Sequence, residues 1–267
     1  MNPQPEDLIL SGKRVHVWTG GSGPALLLLH SAWGDAEMSW APVWNDLSRS
    51  FTIIAPDLPG FGVSDPLDEP MLAGNARVLK DLLDSRKADR TIVVGNSFGV
   101  AVAIEFASTF PERVKHLVAM NGGYLPVIPG FLKKIISLSG VEKRFRKFIR
   151  TMTYSDKAFL KAFPNPEKLP TDFFARIKQY EEKHARIVFD TVMRQSMPQK
   201  RPPVPATIIW GTGDRLTSMK QAEGLQKWLG KPDFMPINGA GHMPQVERPA
   251  EFVEAMTKVG KLQREKA

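Results

Sequence analysis

The chain has 267 residues, of which 42% are hydrophobic, and this is enough for one large α/β domain with its own core. It contains no cysteine, which excludes disulfides, thiol nucleophiles and cysteine metal sites. The net charge is +8, and residues 131–150 alone hold seven basic residues against one acidic residue. We interpret this basic segment as a solvated helix face, with weak contact to an anionic surface as the alternative, and we expect no nucleic-acid partner.

The N-terminal residues and the apolar runs bear on where the protein works. Residues 1–7 have neither a basic start nor a long apolar core, so they do not resemble a signal peptide. No apolar run approaches the ~20 residues that a membrane-spanning helix needs. The sequence therefore predicts a soluble, cytoplasmic protein, either a monomer or a homodimer, with no integral membrane segment.

Short apolar runs alternate with stretches of helical spacing along most of the chain. Residues 8–18 predict a strand, and the glycine-rich residues 19–24 predict a hairpin turn into the next one. Further strands are predicted at 25–29, 51–55, 91–94, 114–120, 207–210 and 234–237. Helices are predicted at 40–47, 71–83, 100–110, 219–229 and from 250 onward.

Between residues 122 and 205 the alternation stops, and helical segments broken by prolines replace it. The pattern as a whole predicts an α/β fold, with a mostly parallel central sheet and helices on both faces. We predict a core domain from residues 1–121 and 206–267, and a helical cap, or lid, inserted as residues 122–205. Two apolar stripes in this insertion are expected to pack down onto the core and to line an apolar pocket; they consist of Phe145, Phe148, Ile149 and Met152, and of Phe131, Leu132, Ile135 and Ile136.

The sequence Gly95-Asn96-Ser97-Phe98-Gly99 lies between a predicted strand and a predicted helix. Gly-x-Ser-x-Gly in that position is the signature of a nucleophile elbow, a tight turn that exposes a serine hydroxyl. The two glycines suit such a turn because they have no Cβ to collide with the neighbouring strand and helix. An ordinary glycine-rich turn produces the same pattern by chance, so the interpretation requires a base and an acid elsewhere in the chain.

His242 is the best candidate for the base, because it lies in a glycine-rich loop after the last predicted strand. Asp214 follows the strand at 207–210, and Ser97, Asp214 and His242 occur in the chain order expected of this kind of catalytic triad. Asp57 precedes the serine and is assigned a turn-forming role. The other histidines are interpreted otherwise: His16 and His116 as structural, His184 as part of a solvent-facing helix surface, and His30 as the end of a strand near Ser97.

Five segments in this order resemble the α/β-hydrolase superfamily, and in particular its small capped serine hydrolases. These include carboxylesterases, the biotin-pathway methyl esterase and meta-cleavage-product C–C hydrolases. The segments are Leu29-His30-Ser31-Ala32-Trp33-Gly34, Asp57-Leu58-Pro59-Gly60-Phe61-Gly62-Val63-Ser64-Asp65, Gly95-Asn96-Ser97-Phe98-Gly99, Gly211-Thr212-Gly213-Asp214 and Gly241-His242-Met243-Pro244.

The resemblance implies an oxyanion hole formed by the backbone N–H groups of Phe98 and Ala32. Relatives usually carry His-Gly where this chain has His30-Ser31, so the Ser31 hydroxyl is a further candidate donor. Trp33 and Met243, together with His30 and Ser31, are candidate substrate-pocket residues. The resemblance implies no cofactor and no metal.

A serine nucleophile argues against dehalogenation and epoxide opening, which relatives of this fold perform with an aspartate. We expect a carboxylic ester hydrolase that acts on small or medium apolar acyl esters through an acyl-enzyme on Ser97. The first alternative is a C–C hydrolase of meta-cleavage-type diketone acids. A non-catalytic member of the fold that binds a small ligand is the second, and a cofactor-free oxygenase or lyase is also left open.

Overall fold

A computed structural model describes residues 2–68, 71–123, 128–194 and 201–265. In this part of the chain, eight strands form one sheet with the spatial order β1-β2-β4-β3-β5-β6-β7-β8. Their bounds are β1 Gln4–Leu10, β2 Lys13–Gly21, β3 Ala25–Leu29, β4 Thr52–Pro56, β5 Thr91–Asn96, β6 Val114–Met120, β7 Ala206–Gly211 and β8 Asp233–Ile237. The β1–β2 and β2–β4 pairs are antiparallel and the remaining pairs are parallel, which confirms the predicted fold class.

The helices of the described residues lie on both faces of the sheet and between β6 and β7. Their bounds are α1 Ala36–Leu47, α2 Met71–Ser85, α3 Phe98–Thr109, α4 Gly130–Ile136, α5 Ser139–Tyr154, α6 Asp156–Ala162, α7 Phe173–Gln179, α8 Glu181–Arg194, α9 Met219–Trp228, α10 Pro244–Glu247 and α11 Pro249–Glu265. Helices α4 to α8 follow one another between β6 and β7, and their role as a separate cap domain stays a prediction.

The predicted hairpin at residues 19–24 is wrong. The tight turn lies at Ser11 and Gly12, where it joins β1 to β2, and both residues have positive φ angles of 48° and 74°. Residues 19–21 continue β2, which pairs with β4 and not with β3. Gly20 and Gly21 therefore lie at the end of β2, and Gly23 lies in the crossing to a non-adjacent strand.

Two apolar cores lie on opposite faces of the sheet, and β3 illustrates why its sequence is continuously apolar. Leu27 and Leu29 face one core, which includes side chains of α2, α3 and α9. Leu26 and Leu28 face the other core, which includes side chains of α1 and α11. Because alternate residues of a strand point to opposite faces, a strand covered on both faces needs apolar residues at every position.

A third apolar cluster joins helices α5 to α8 to the loops at one edge of the sheet. Tyr154, Phe159 and Phe163 belong to it, together with Trp33 and Met243 from loops that follow β3 and β8. The helical segment between β6 and β7 is therefore packed against the same sheet edge at which the predicted site residues lie.

The expectation that the apolar stripes of the basic segment pack down onto the core is wrong for much of their length. No residue of α4 is buried, and Tyr154 is the buried residue of α5. Phe131 and Leu138 keep 66% and 61% of their surface exposed, and Phe148 keeps 57%. The placement of His184 on a solvent-facing surface is also wrong, because this residue is completely buried.

Candidate active site

The predicted site residues lie in loops that follow the carboxyl ends of neighbouring parallel strands. Ala32 follows β3, Ser97 follows β5, Asp214 follows β7 and His242 follows β8. Asn121 follows β6, which lies between β5 and β7 in the sheet. Since parallel strands end at the same edge, residues far apart in sequence meet here.

Ser97 occupies a sharp turn between β5 and α3. Its backbone angles, φ of 53° and ψ of −112°, lie outside the regions that residues with a side chain ordinarily adopt, which indicates local strain. A Cβ at Gly95 would lie 2.4 Å from the Gly99 carbonyl oxygen, and one at Gly99 would lie 2.4 Å from the Leu29 carbonyl oxygen. Both glycines are therefore required for this turn, as the sequence pattern predicts.

His242 and Asp214 form a buried hydrogen-bonded pair. The His242 Nδ1 lies 2.7 Å from Asp214 Oδ2, and the two residues are 2% and 4% exposed. Burial raises the pKa of Asp214, but the adjacent His242 and the hydrogen bonds from His242 and Thr217 outweigh it and leave that pKa below its ordinary value. An ionised Asp214 only accepts, so the proton of the neutral imidazole lies on Nδ1 and Nε2 remains an acceptor.

Thr217 and Asn121 hold the Asp214 carboxylate, and sequence reasoning missed both. The Thr217 hydroxyl donates to Asp214 Oδ2 and lies 3.2 Å from His242 Nδ1. The Asn121 amide donates to Asp214 Oδ2 at 2.9 Å, while its oxygen accepts from the Gly211 N–H at 2.9 Å. The amide of Asn121, which follows β6, thus orients the carboxylate that follows β7.

Asn96 and Glu247 hold the loop that carries His242. Asn96 donates to the His242 carbonyl oxygen at 2.9 Å and to the Met120 carbonyl oxygen at 3.2 Å. Glu247 accepts from the Gly241 N–H at 3.0 Å with each carboxylate oxygen. Burial raises the pKa of Glu247 to about 7, against the lowering effect of these backbone donors. The available sequence signals were a polar residue directly before Ser97 and an acidic residue five positions after His242.

The two predicted oxyanion-hole residues face one cavity together with Ser97. Phe98 is the first residue of α3, so its N–H has no acceptor within the helix and lies at the positive end of the helix dipole. The Ala32 carbonyl oxygen accepts from the Tyr154 hydroxyl at 2.8 Å, which fixes the loop after β3 against α5.

The four candidate pocket residues are not among the described residues that line this cavity. His30 is completely buried: its Nε2 accepts from the Leu58 N–H at 2.9 Å, and its Nδ1 lies 2.6 Å from the Ser31 carbonyl oxygen. The Ser31 hydroxyl oxygen accepts from the Trp33 N–H at 3.1 Å within its own loop. Trp33 packs on the His242 ring at a centroid distance of 4.9 Å, and Met243 is buried in the third cluster. These residues support the loops around the cavity.

The cavity has a volume of about 440 Å³, and its walls are mostly apolar. Phe145, Phe148, Ile149 and Met152 of α5 contribute to it, as the stripe in the insertion predicted. Among the described residues of its lining, the side chain of His242 is the one that can ionise; the others include Ala101, Ile128, Val188, Val192, Trp210 and Leu216. The arrangement suits an apolar group bound beside a serine and a histidine.

The described residues contain no group of three or more histidine and carboxylate side chains arranged as metal ligands. Within the same ranges, every helix is too short or too polar to cross a bilayer.

The profile of the alpha/beta hydrolase family matches residues 26–255. The chain belongs to this family. This alpha/beta hydrolase is 27% identical over 240 residues to 2-hydroxy-6-oxo-6-phenylhexa-2,4-dienoate hydrolase from Burkholderia cepacia, with 86% of this chain and 78% of the relative covered.

A second relative is the 2-hydroxy-6-oxononadienedioate/2-hydroxy-6-oxononatrienedioate hydrolase of Comamonas testosteroni. It is 30% identical to this alpha/beta hydrolase over 240 residues, which cover 86% of this chain and 78% of the relative. Among solved structures, a thermophilic esterase from Thermogutta terrifontis superposes with a TM-score of 0.73 at 19% identity and covers 97% of this chain and 99% of its own. At that identity the likeness concerns the fold alone.

Proposed function

We propose that this alpha/beta hydrolase is a serine hydrolase that cleaves carboxylic esters of small or medium apolar acyl groups. One observation carries the proposal: Ser97, in a strained turn, lines the same apolar cavity as His242, and the His242 Nδ1 contacts the buried Asp214. A small-molecule substrate fits a cavity of this size.

In the proposed reaction, the Ser97 hydroxyl oxygen attacks the ester carbonyl while His242 Nε2 accepts its proton. Asp214 holds the imidazole in orientation and stabilises the positive charge that forms on it. The N–H groups of Phe98 and Ala32 donate to the developing oxyanion, and such donors are each worth about 3–4 kcal/mol in hydrolases. His242 then returns the proton to the departing alcohol, and a water molecule hydrolyses the acyl-enzyme by the same steps.

C–C hydrolysis of a dienoate is the second candidate, because the relatives reported above carry that activity in their names. Such a substrate has a carboxylate, which a binding site must pair with a cation or with several N–H donors. The described lining of the cavity has no lysine or arginine. This apolar lining favours the uncharged acyl group of an ester.

The test is a panel of p-nitrophenyl esters of increasing acyl length, assayed beside 2-hydroxy-6-oxo-6-phenylhexa-2,4-dienoate. We expect higher kcat/KM for the esters, and Ser97→Ala should lower kcat by at least about 10⁴-fold. Ser108→Ala, at the other end of α3, is the matched control and should retain wild-type kcat. Faster turnover of the dienoate would reject ester hydrolysis in favour of C–C hydrolysis.

The role of Asp214 is tested separately by Asp214→Asn, which keeps the size of the side chain. The amide stabilises the wrong histidine tautomer, so we expect kcat to fall by about 10³–10⁴-fold with folding intact. Asp190→Asn, on α8, is the control.

Labelling of Ser97 by a fluorophosphonate decides between an active serine and a non-catalytic binding protein, since an unactivated serine does not react.

A further inference from the structure

Helices α4 and α5 expose an unusual number of large apolar side chains. The α4–α5 face, as we define it, comprises Phe131, Leu132, Ile135, Leu138, Val141, Phe148 and Met152. Each keeps at least 38% of its surface exposed, and Phe131 keeps 66%. A set of large exposed apolar residues on two neighbouring helices is typical of a surface that contacts a membrane or another molecule.

Helices α4 and α5 also carry several exposed positively charged side chains. Lys134, Lys143, Arg144 and Lys147 are exposed. Two further arginines have acidic neighbours, since Arg150 forms an ion pair with Glu182, and Arg146 lies 3.7 Å from Glu142. The exposed cations therefore remain as an excess of positive charge around the apolar side chains.

The α4–α5 face is continuous with the candidate active site. Phe148 and Met152 are 57% and 51% exposed, and both also line the cavity that contains Ser97. An apolar group that lies on this face is thus in contact with side chains that form the wall of the cavity. This continuity favours a partner that presents apolar chains.

We propose that the α4–α5 face is a docking surface for an anionic lipid bilayer, in which Phe131, Leu138 and their neighbours insert among the acyl chains and the lysines contact the phosphate groups. Helices with a basic, polar face and an apolar face bind in the interface in this way. A second copy of this chain fits less well, because a two-fold contact would place the same uncompensated cations against each other. The proposal concerns adsorption and does not depend on the reaction at Ser97.

The test measures partition of the full chain onto sucrose-loaded vesicles of phosphatidylcholine, with or without about 30% phosphatidylglycerol. The Ser97→Ala chain is used throughout, so that no hydrolysis alters the vesicles and a failed ester assay leaves the result interpretable. We expect at least about tenfold stronger partition onto the anionic vesicles at about 0.1 M salt, and loss of that preference at about 1 M salt.

Two double variants separate the apolar contribution from the electrostatic one. Lys134→Glu with Lys147→Glu should weaken partition onto anionic vesicles by at least about tenfold, since each basic residue near such a surface contributes about fivefold. Phe131→Ser with Leu138→Ser should weaken it by about tenfold or more through lost insertion of apolar surface.

Matched controls lie away from α4 and α5. Lys227→Glu with Lys261→Glu reverses two exposed lysines on α9 and α11, and Ile9→Ser removes a side chain that is 73% exposed on the edge strand β1. Both controls should stay within about twofold of the parent chain, with Tm unchanged in every variant.

Equal partition of all variants, or no preference for anionic vesicles, would overturn the proposal. It is also rejected if the parent chain is a dimer by light scattering, fails to bind vesicles, and becomes a monomer on Phe131→Ser with Leu138→Ser. The α4–α5 face would then be an interface between copies of the chain.

Discussion

At the scale of single residues, two buried carboxylates beside His242 differ in the direction of their pKa shifts. Asp214 accepts hydrogen bonds from His242 and Thr217, and its pKa lies below the ordinary value despite burial. Glu247 accepts hydrogen bonds from the backbone N–H groups of Gly241 and Met243, and burial raises its pKa to about 7. The difference in partners explains why the first is suited to stabilise an imidazolium and the second to hold a loop.

Glu247 predicts a specific dependence of stability on pH. Because its pKa is higher in the folded chain than the value of 4.5 expected in the unfolded chain, the folded chain binds more protons between these two pKa values. The contribution of Glu247 to the free energy of unfolding is therefore greatest below pH 4.5 and is lost as the pH rises through 7. Glu247→Gln removes the titration and keeps one acceptor oxygen.

Urea unfolding at about pH 5 and pH 8 checks this expectation. From about pH 5 to about pH 8, the free energy of unfolding of the wild-type chain should fall by up to about 3 kcal/mol more than that of Glu247→Gln. Groups that titrate in both proteins cancel in the comparison. Parallel pH profiles of the two proteins would show that Glu247 does not titrate in this range.

At the scale of elements, the end of β6 and the residues after it pack directly against the turn between β5 and α3. The Ser97 N–H donates to the Met120 carbonyl oxygen at 2.9 Å. A Cβ at Gly122 would lie 2.3 Å from the Ser97 Cα, well inside contact distance. The position of Ser97 thus depends on a glycine in a different strand–loop unit as well as on Gly95 and Gly99.

Gly122→Ala should therefore displace the Ser97 turn. We expect a loss of at least about 2 kcal/mol in the free energy of unfolding, and a fall in kcat of about 10²-fold or more. Gly224→Ala is the matched control, because a Cβ there has nothing within 4 Å. This control lies inside α9 and should leave kcat unchanged and stabilise the chain by up to about 1 kcal/mol. Equal behaviour of the two variants would contradict the close approach.

At the scale of the whole molecule, hydrogen bonds connect helices α5 and α6 to the loops of the sheet edge. The Tyr154 hydroxyl donates to the Ala32 carbonyl oxygen at 2.8 Å, and the Trp33 indole donates to the Thr153 carbonyl oxygen at 3.0 Å. The His242 N–H donates to the Ala162 carbonyl oxygen at 2.8 Å. The helical segment therefore positions both the loop of Ala32 and the loop of His242.

Tyr154→Phe tests this connection by removing one hydroxyl. The buried Ala32 carbonyl loses its donor, so the free energy of unfolding should fall by about 1–2 kcal/mol. Since the Ala32 N–H is a proposed oxyanion donor, kcat on p-nitrophenyl butyrate should fall by about tenfold. Tyr180→Phe, which changes the tyrosine directly after α7, is the control and should match wild type in both measurements. Unchanged kcat in Tyr154→Phe would show that α5 does not position the loop that carries Ala32.

The sequence predicted most of the elements because their local patterns are strong. The run Ala25–Leu29 and the helical spacing of residues 71–83 depend only on which faces are buried. The pairing of strands was not predicted, since β2 lies beside β4 and the glycines at the end of β2 do not form the expected hairpin. Strand neighbours are set by packing of distant segments, which no local pattern encodes.

His184 shows the same limit for burial. Its neighbours Glu181, Glu182 and Lys183 suggest a solvent-facing surface, yet its ring packs against Phe61 at a centroid distance of 4.6 Å. Burial lowers its pKa to about 3, which keeps the ring neutral. The turn that carries Phe61 is far away in sequence, so the burial of His184 could not be read from its own helix.

The sequence by itself indicated the family resemblance and the α/β alternation, and it selected Ser97, Asp214 and His242 as candidates in their chain order, because motif residues and apolar periods are local properties of the chain. Only the tertiary structure decided which side chains support them. Asn96, Asn121, Thr217 and Glu247 contact the loops of Asp214 and His242 through hydrogen bonds between segments that are separate in sequence. Such bonds form where the ends of parallel strands converge, and their partners are specified by three-dimensional proximity, which spacing along the chain does not contain.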